Sequence, residues 1–214
     1  MKEIILIRHG SIEPEYNGRY IGATDVPLSA KGFREAEAIG KYILNIDCDH
    51  IFASPLLRAR QTLETALPTE KLKKVRYDNR LREIDFGDWE GKSFTEINTE
   101  YPAEVHDWTK PSSGFCFPNG SNPEEFHRGI DDFKRTLLES YGSRIMVFAH
   151  GGVILAFICN VLGIDKDKML AFKADRGSVA ILDLFENGCG VLKGINIKPE
   201  IKVVAGAART ATET

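Results

Sequence analysis

The sequence has little of what marks secreted, membrane or nucleic-acid-binding proteins. Its 214 residues include four cysteines, Cys48, Cys116, Cys159 and Cys189, widely scattered and with no CxxC pair. A disulfide-stapled secreted scaffold would be smaller and denser in cysteine, and no histidine is spaced to complete a zinc site. The four therefore read as free thiols, mostly packing residues, in a reducing compartment. Positive charge is not in excess: the net charge is −3. That excludes a global basic field for nucleic acid or an anionic membrane, though not a local basic cluster. No apolar stretch approaches the roughly 18 residues of a membrane span. The run after Lys2 is too short for a signal peptide and ends at Arg8. HExxH and the Walker loop GxxxxGK[ST] are both missing, so neither a metal nor a cofactor is expected. A cytoplasmic protein without membrane or nucleic-acid partners follows, and a homodimer is compatible with the sequence.

What the chain does contain is an alternation of short apolar runs with helical segments. Glu3 to Ile7 is continuous and β-branched, the pattern of a buried strand. Ser11 to Leu28 lacks periodicity and reads as a long functional loop. Ser29 is an N-cap for a helix to about Asn45, with Ala36, Ile39, Ile43 and Leu44 on one face. His50–Ala53 is a second strand. Ser54-Pro55 then reads as a cap and first-turn proline for a helix to about Ala66. Lys74–Tyr77 is a third strand, and helices are expected within Phe94–Trp108. Asn122 with Pro123 opens a helix to about Tyr141, followed by a strand over Arg144–Ala149 and a helix from His150 to near Gly163. Val179–Phe185 and Val191–Ile197 are joined by Asn187-Gly188, a hairpin signal. The alternation predicts an α/β three-layer sandwich: a mostly parallel sheet, helices on both faces, and antiparallel strands added by the hairpin. One domain is expected over 1–198. A tail follows over 199–214, Ala/Thr-rich from Ala205, without a core pattern and expected to be disordered.

Two strands share an ending. IILIRHG and RIMVFAHGG are apolar runs that both close on His-Gly. A third strand, in HIFASPLLRARQT, leads to Arg58 at the start of a helix. Ligands of open α/β sheets gather beyond the carboxyl ends of the strands. That edge would collect Arg8, His9, Arg58 and His150, with helix N-termini adding N–H donors. Two guanidiniums and two imidazoles suit a compact dianion, phosphate above all. A neutral imidazole can attack phosphorus, and neighbouring arginines lower its pKa. Positive charge stabilises the transferring phosphoryl group, and a carboxylic acid can protonate the leaving oxygen. RLREIDFGDWEG offers Glu83, Asp85, Asp88 and Glu90 for that task, and periodicity does not choose among them.

In this order, Arg8-His9-Gly10, RYIGATDVPLSAKG, SPLLRARQT, LREIDFGDWEG and AHGGV resemble the motifs of the histidine phosphatase superfamily, the phosphoglycerate mutase-like fold, over about Lys2 to Ile197. The resemblance implies His9 as the phosphorylated nucleophile, Arg8 and Arg58 as phosphate-binding arginines, and His150 as a donor to phosphate. It implies Glu83 as the proton donor and Gly151 as a backbone donor. Within the superfamily, RYIGATDVPLS and LREIDFGDWEG are similar to stretches of α-ribazole phosphatases. A metal-independent phosphatase acting on a small phosphorylated metabolite is implied, with α-ribazole 5'-phosphate the best single substrate. A cofactor-dependent phosphoglycerate mutase and a non-catalytic phospholigand sensor are the alternatives. Mutases usually carry paired arginines near a Trp, where this chain reads Trp108-Thr109-Lys110-Pro111. Retention of Glu83 argues against a pure binder.

The chain departs from the family in the loop after His9. Ser11-Ile12 lacks a hydroxyl in its usual place and Glu15 stands where Asn is common; outside that loop, PNGSN at 118–122 lacks a usual Glu. Ser11 and Asn17 are the expected substitutes at the phosphate. Gly10 is expected to let the backbone approach phosphate closely. Trp89 and Trp108 read first as packing, and Tyr16, Tyr20 and Asp25 as equally suited to line the pocket or not. His106 and His127 read as surface residues of helices.

Overall fold

A computed structural model describes residues 1–110 and 114–200. Among the described residues the strands are β1 (Lys2–Arg8), β2 (His50–Ala53), β3 (Val75–Tyr77), β4 (Arg144–Ala149), β5 (Val179–Leu184) and β6 (Gly190–Ile197). Between them run α1 (Ala30–Ile43), α2 (Leu57–Ala66), α3 (Thr69–Leu72), α4 (Phe94–Glu100), α5 (Pro102–Trp108), α6 (Pro123–Glu139) and α7 (Gly151–Leu162). The sheet order is β3-β2-β4-β1-β5-β6. The first four strands are parallel, and β5 and β6 are antiparallel additions. This is the expected α/β sandwich with its hairpin at one edge. The expected tail from Ala205 lies outside the described residues.

The continuous apolar run of β1 is explained by burial on both faces. Ile4 and Leu6 pack with Ile145 and Val147 of β4 beneath α6 and α7. Ile5 and Ile7 pack with Met146 and Phe148 beneath α1 and α2. A third cluster, Trp89, Ile97, Val105 and Phe117, lies under the irregular segment beyond the sheet. At the hairpin, Gly188 has φ 82°, the left-handed conformation its turn requires.

Local cap signals held in two places and failed in a third. The Ser29 side chain accepts from the Gly32 N–H, and Asn122 accepts from the Glu124 N–H. Ser54-Pro55, however, does not open α2, which begins two residues later at Leu57. Its first N–H donates to Asp25 Oδ1 at 2.5 Å, so the cap comes from the long loop. Gly10 also serves another purpose than expected. A Cβ there would lie 2.4 Å from the Gly32 carbonyl oxygen, so its missing side chain lets the N-terminus of α1 press against the strand end. Two cysteines, Cys116 and Cys189, are exposed rather than packed, and all four are free. Among the described residues no helix is long and apolar enough to cross a membrane.

Candidate active site

Strand register brings the two histidines together. Arg8 of β1 is the parallel partner of Ala149 of β4, so the next residue of each strand emerges at the same edge. The His9 N–H donates to the Ala149 carbonyl at 3.1 Å, and the rings of His9 and His150 lie 5.1 Å apart at 54°. Register supplies a third residue as well. Ala53 of β2 pairs with Phe148, and the following Ser54 places its hydroxyl 2.7 Å from His150 Nε2. His9, His150, Ser54 and Arg58 are all buried.

Each ring has one defined partner. His9 Nδ1 lies 2.8 Å from the Gly10 carbonyl, which fixes Nδ1 as the protonated nitrogen and leaves Nε2 with a lone pair. The Gly10 N–H in turn donates to Thr62 Oγ1 at 3.0 Å. His150 Nδ1 and Arg8 Nε are buried and have no hydrogen-bond partner among the described residues. Unpartnered buried polar atoms are costly, and these two, on residues at the same strand edge, suit a polar ligand.

Electrostatics keep both imidazoles neutral. Burial, then Arg58 and Arg8, hold His9 well below the usual histidine range. Burial, then Arg58, His9 and Arg8, do the same for His150. Burial thus outweighs the arginines, the only cause the sequence suggested. Burial also lowers Arg8, and pushes Arg58 down to about 10. The Arg58 guanidinium donates to the carbonyls of Thr24 and Gly22 at 2.8 and 2.7 Å. Arg8 donates to the Ala174 carbonyl.

Glu83 stands against the start of α7. The Gly152 N–H donates to its Oε2 at 2.9 Å. The two glycines after His150 have a steric reason. A Cβ on Gly151 would meet Arg8 Cζ at 3.0 Å, and one on Gly152 would meet Glu83 Oε1 at 2.4 Å. A cleft of about 800 Å³ opens onto Arg8, Glu83, Gly151 and Gly152 and runs away between Tyr20, Trp108 and Phe172.

Arg8, His9, Arg58, His150, Glu83 and Gly151 therefore gather at one strand edge. Ser11 and Asn17 are engaged otherwise. Ser11 donates through its N–H and hydroxyl to Glu35 at 2.6 and 3.0 Å, and Asn17 Oδ1 accepts from Arg176 at 3.1 Å. Ile12 is buried and bridges to Leu28, which explains an apolar residue there. His127 is not a surface residue: it is half-buried and lines the cleft. Trp89 is fully buried packing, while Trp108 and Tyr20 reach the cleft. Sequence reasoning missed Ser54 as a partner of His150, Thr62 beneath Gly10, and the anchoring role of Glu90, which it offered only as a possible acid. The Glu90 carboxylate accepts from the N–H groups of Gly22, Ala23, Thr24 and Phe86 and from the Thr24 hydroxyl. That grip fixes the loop whose carbonyls hold Arg58.

Two buried imidazoles beside the buried Arg58 and the half-buried Arg8, at the carboxyl edge of a mostly parallel sheet, define an enzyme that handles phosphate. The chain belongs to the histidine phosphatase superfamily (branch 1), whose family model matches residues 4–198. It is 28% identical to the adenosylcobalamin/α-ribazole phosphatase of Escherichia coli K12, over 84% of this chain and 88% of that protein. It is 27% identical to phosphoserine phosphatase 1 of Hydrogenobacter thermophilus, over 90% of this chain and 92% of that protein. The crystal structure of the α-ribazole phosphatase from Shigella flexneri superposes with a TM-score of 0.80 at 25% identity, covering 92% of this chain and 96% of that one. The protein is a phosphoric monoester hydrolase.

Proposed function

We propose that this phosphatase hydrolyses a small phosphomonoester through a phosphohistidine on His9. The observation that carries the proposal is the His9 ring, neutral, with Nδ1 bound to the Gly10 carbonyl and Nε2 free, 5.1 Å from a second neutral imidazole. The Nε2 lone pair attacks phosphorus as the bond to the leaving oxygen breaks, and the Glu83 carboxylic acid gives that oxygen its proton. Water then attacks the phosphohistidine. Glu83, now a carboxylate, takes the proton of the water, and the electron pair of the broken P–N bond returns to His9. The balance is ester plus water to alcohol plus phosphate.

Charge on the phosphoryl oxygens is met by Arg8 and Arg58 and by the Gly151 N–H at the start of α7. His150 contributes a donor. In this reading the Ser54 hydroxyl donates to His150 Nε2, 2.7 Å away, and the ring proton sits on the unpartnered Nδ1. Ser11 and Asn17 act one step removed, by fixing the loop after His9. For the substrate, α-ribazole 5'-phosphate is the first candidate, supported by the sequence resemblance and by the E. coli and S. flexneri relatives. The proposal is tested by hydrolysis of p-nitrophenyl phosphate in EDTA. Full activity in EDTA and its loss in His9→Ala are expected; comparable turnover by the variant would sink the mechanism.

A further inference from the structure

Nothing in the catalytic group decides which ester is cleaved; the walls of the cleft do. We infer that the cleft selects a ring-bearing leaving group without a carboxylate and discriminates against small carboxylate-bearing ones such as serine or glycerate. The inference rests on the phosphatase reading above and narrows its substrate class.

Three observations support it. The first is the aromatic wall. Tyr20, Trp108 and Phe115 line one side of the cleft, backed by the wholly buried Trp89. Trp108 meets Trp89 edge-on at 5.6 Å and Tyr20 at 6.3 Å, so the rings are set before any substrate arrives. Phe126, Leu170 and Phe172 complete the apolar lining. Leu170 is 70% exposed, an apolar side chain held in water at the mouth of the cleft. The second is size. A cleft of about 800 Å³ lies in the upper part of the range, about 300–1,000 Å³, that encloses drug-sized ligands. A serine or glycerate moiety would leave most of it filled with water.

The third is charge. Three lysines line the cleft, and each already has a carboxylate: Lys110 with Asp107 at 3.4 Å, Lys166 with Glu124 at 2.8 Å, and Lys173 with Asp175 at 2.9 Å. A substrate carboxylate would compete with these partners for the lysines, for little gain at such exposed pairs, or be desolvated against aromatic rings, which costs free energy. Of the substrates named for the relatives, phosphoserine carries such a carboxylate and α-ribazole phosphate carries rings instead.

The test compares 2-phenylethyl phosphate with O-phosphoserine. Both are primary alkyl esters, so intrinsic leaving-group reactivity is matched. The expected ratio of kcat/KM is about 100 in favour of the phenyl ester. Leu170→Lys, at an exposed position that folding does not depend on, supplies an unpaired cation and should lower that ratio about tenfold, chiefly through KM. Trp108→Ala should act in the same direction, with Trp108→Phe restoring the preference. Equal or better turnover of phosphoserine, abolished for both esters by His9→Ala, would overturn the inference and leave the phosphatase mechanism standing. Turnover of both esters that survives His9→Ala would overturn the mechanism and the inference together.

Discussion

Gly152→Ala is the sharpest single perturbation the site offers. The new Cβ would sit 2.4 Å from Glu83 Oε1, 3.2 Å from Cδ and 3.4 Å from Oε2. Non-bonded carbon and oxygen come no closer than about 3.5 Å without cost, so the carboxyl must retreat by about 1 Å. Glu83 is the far end of a flexible side chain and can move, so the fold survives. Alanine in the first turn of α7 is better than glycine by up to about 1 kcal/mol, so stability should hold or rise slightly. Catalysis should not. A misplacement of about 1 Å costs on the order of 100-fold, or about 2.7 kcal/mol of barrier. The assay uses two esters. With p-nitrophenyl phosphate the leaving group departs without a proton, so a burst of nitrophenolate should persist while steady turnover falls. With a primary alkyl phosphate, phosphorylation itself should slow and no burst of alcohol should appear. Gly151→Ala, whose Cβ meets Arg8 Cζ at 3.0 Å, should be milder. Unchanged alkyl ester turnover in Gly152→Ala would refute Glu83 as the proton donor. Loss of the nitrophenolate burst would refute the reasoning that Gly152→Ala acts through Glu83 alone, and would point to a damaged phosphate site instead.

Other outcomes follow from the same contacts. His9 and His150 are held well below the usual histidine value in the folded chain. Below about pH 6.5 the unfolded chain takes up two protons the folded chain refuses, so stability is full above that pH and falls as pH drops toward the folded values. The pair contributes a slope of up to about 2.7 kcal/mol per pH unit, and His127, lowered chiefly by burial, adds in the same sense. Urea unfolding at pH 7 and pH 5.5 measures it; equal stabilities would contradict it. Glu90→Ala should strip the loop at Gly22–Thr24 of its anchor, costing about 3 kcal/mol in urea unfolding, with activity lost through Arg58. Ser54→Ala leaves His150 Nε2 without its partner at 2.7 Å. It should cost about 1–3 kcal/mol in thermal unfolding and lower kcat more than it raises KM.

How far the sequence reaches depends on the range of the interaction. The architecture was legible because alternation is local: β1 and β4 are continuous apolar runs, and the helices between them carry their own periodicity. The gathering of Arg8, His9, Arg58 and His150 was legible because strand ends in such a sheet share one edge. The exact neighbours were not. Ser54-Pro55 has the form of a helix cap, yet register with β4 commits its hydroxyl to His150, and Asp25 caps the helix instead. Gly10 follows the nucleophile and suggests phosphate, but its space is filled by the backbone of Gly32. Glu90 was one of four carboxylates in LREIDFGDWEG. Its five donors are mostly on a loop near residue 22, so spacing alone carried no signal. His127 falls on a helix that reads as solvated, and only the folded cleft shows what faces it.

The central claim is a covalent bond between phosphorus and His9. Reaction with excess p-nitrophenyl phosphate, quenched in milliseconds into alkali where phosphohistidine survives, followed by peptide mass spectrometry, tests it most directly. A phosphoryl group on the peptide containing His9, absent from His9→Ala and accumulating in Gly152→Ala, is the expected result. Turnover without any labelled histidine, or with the label on a residue other than His9, would contradict it.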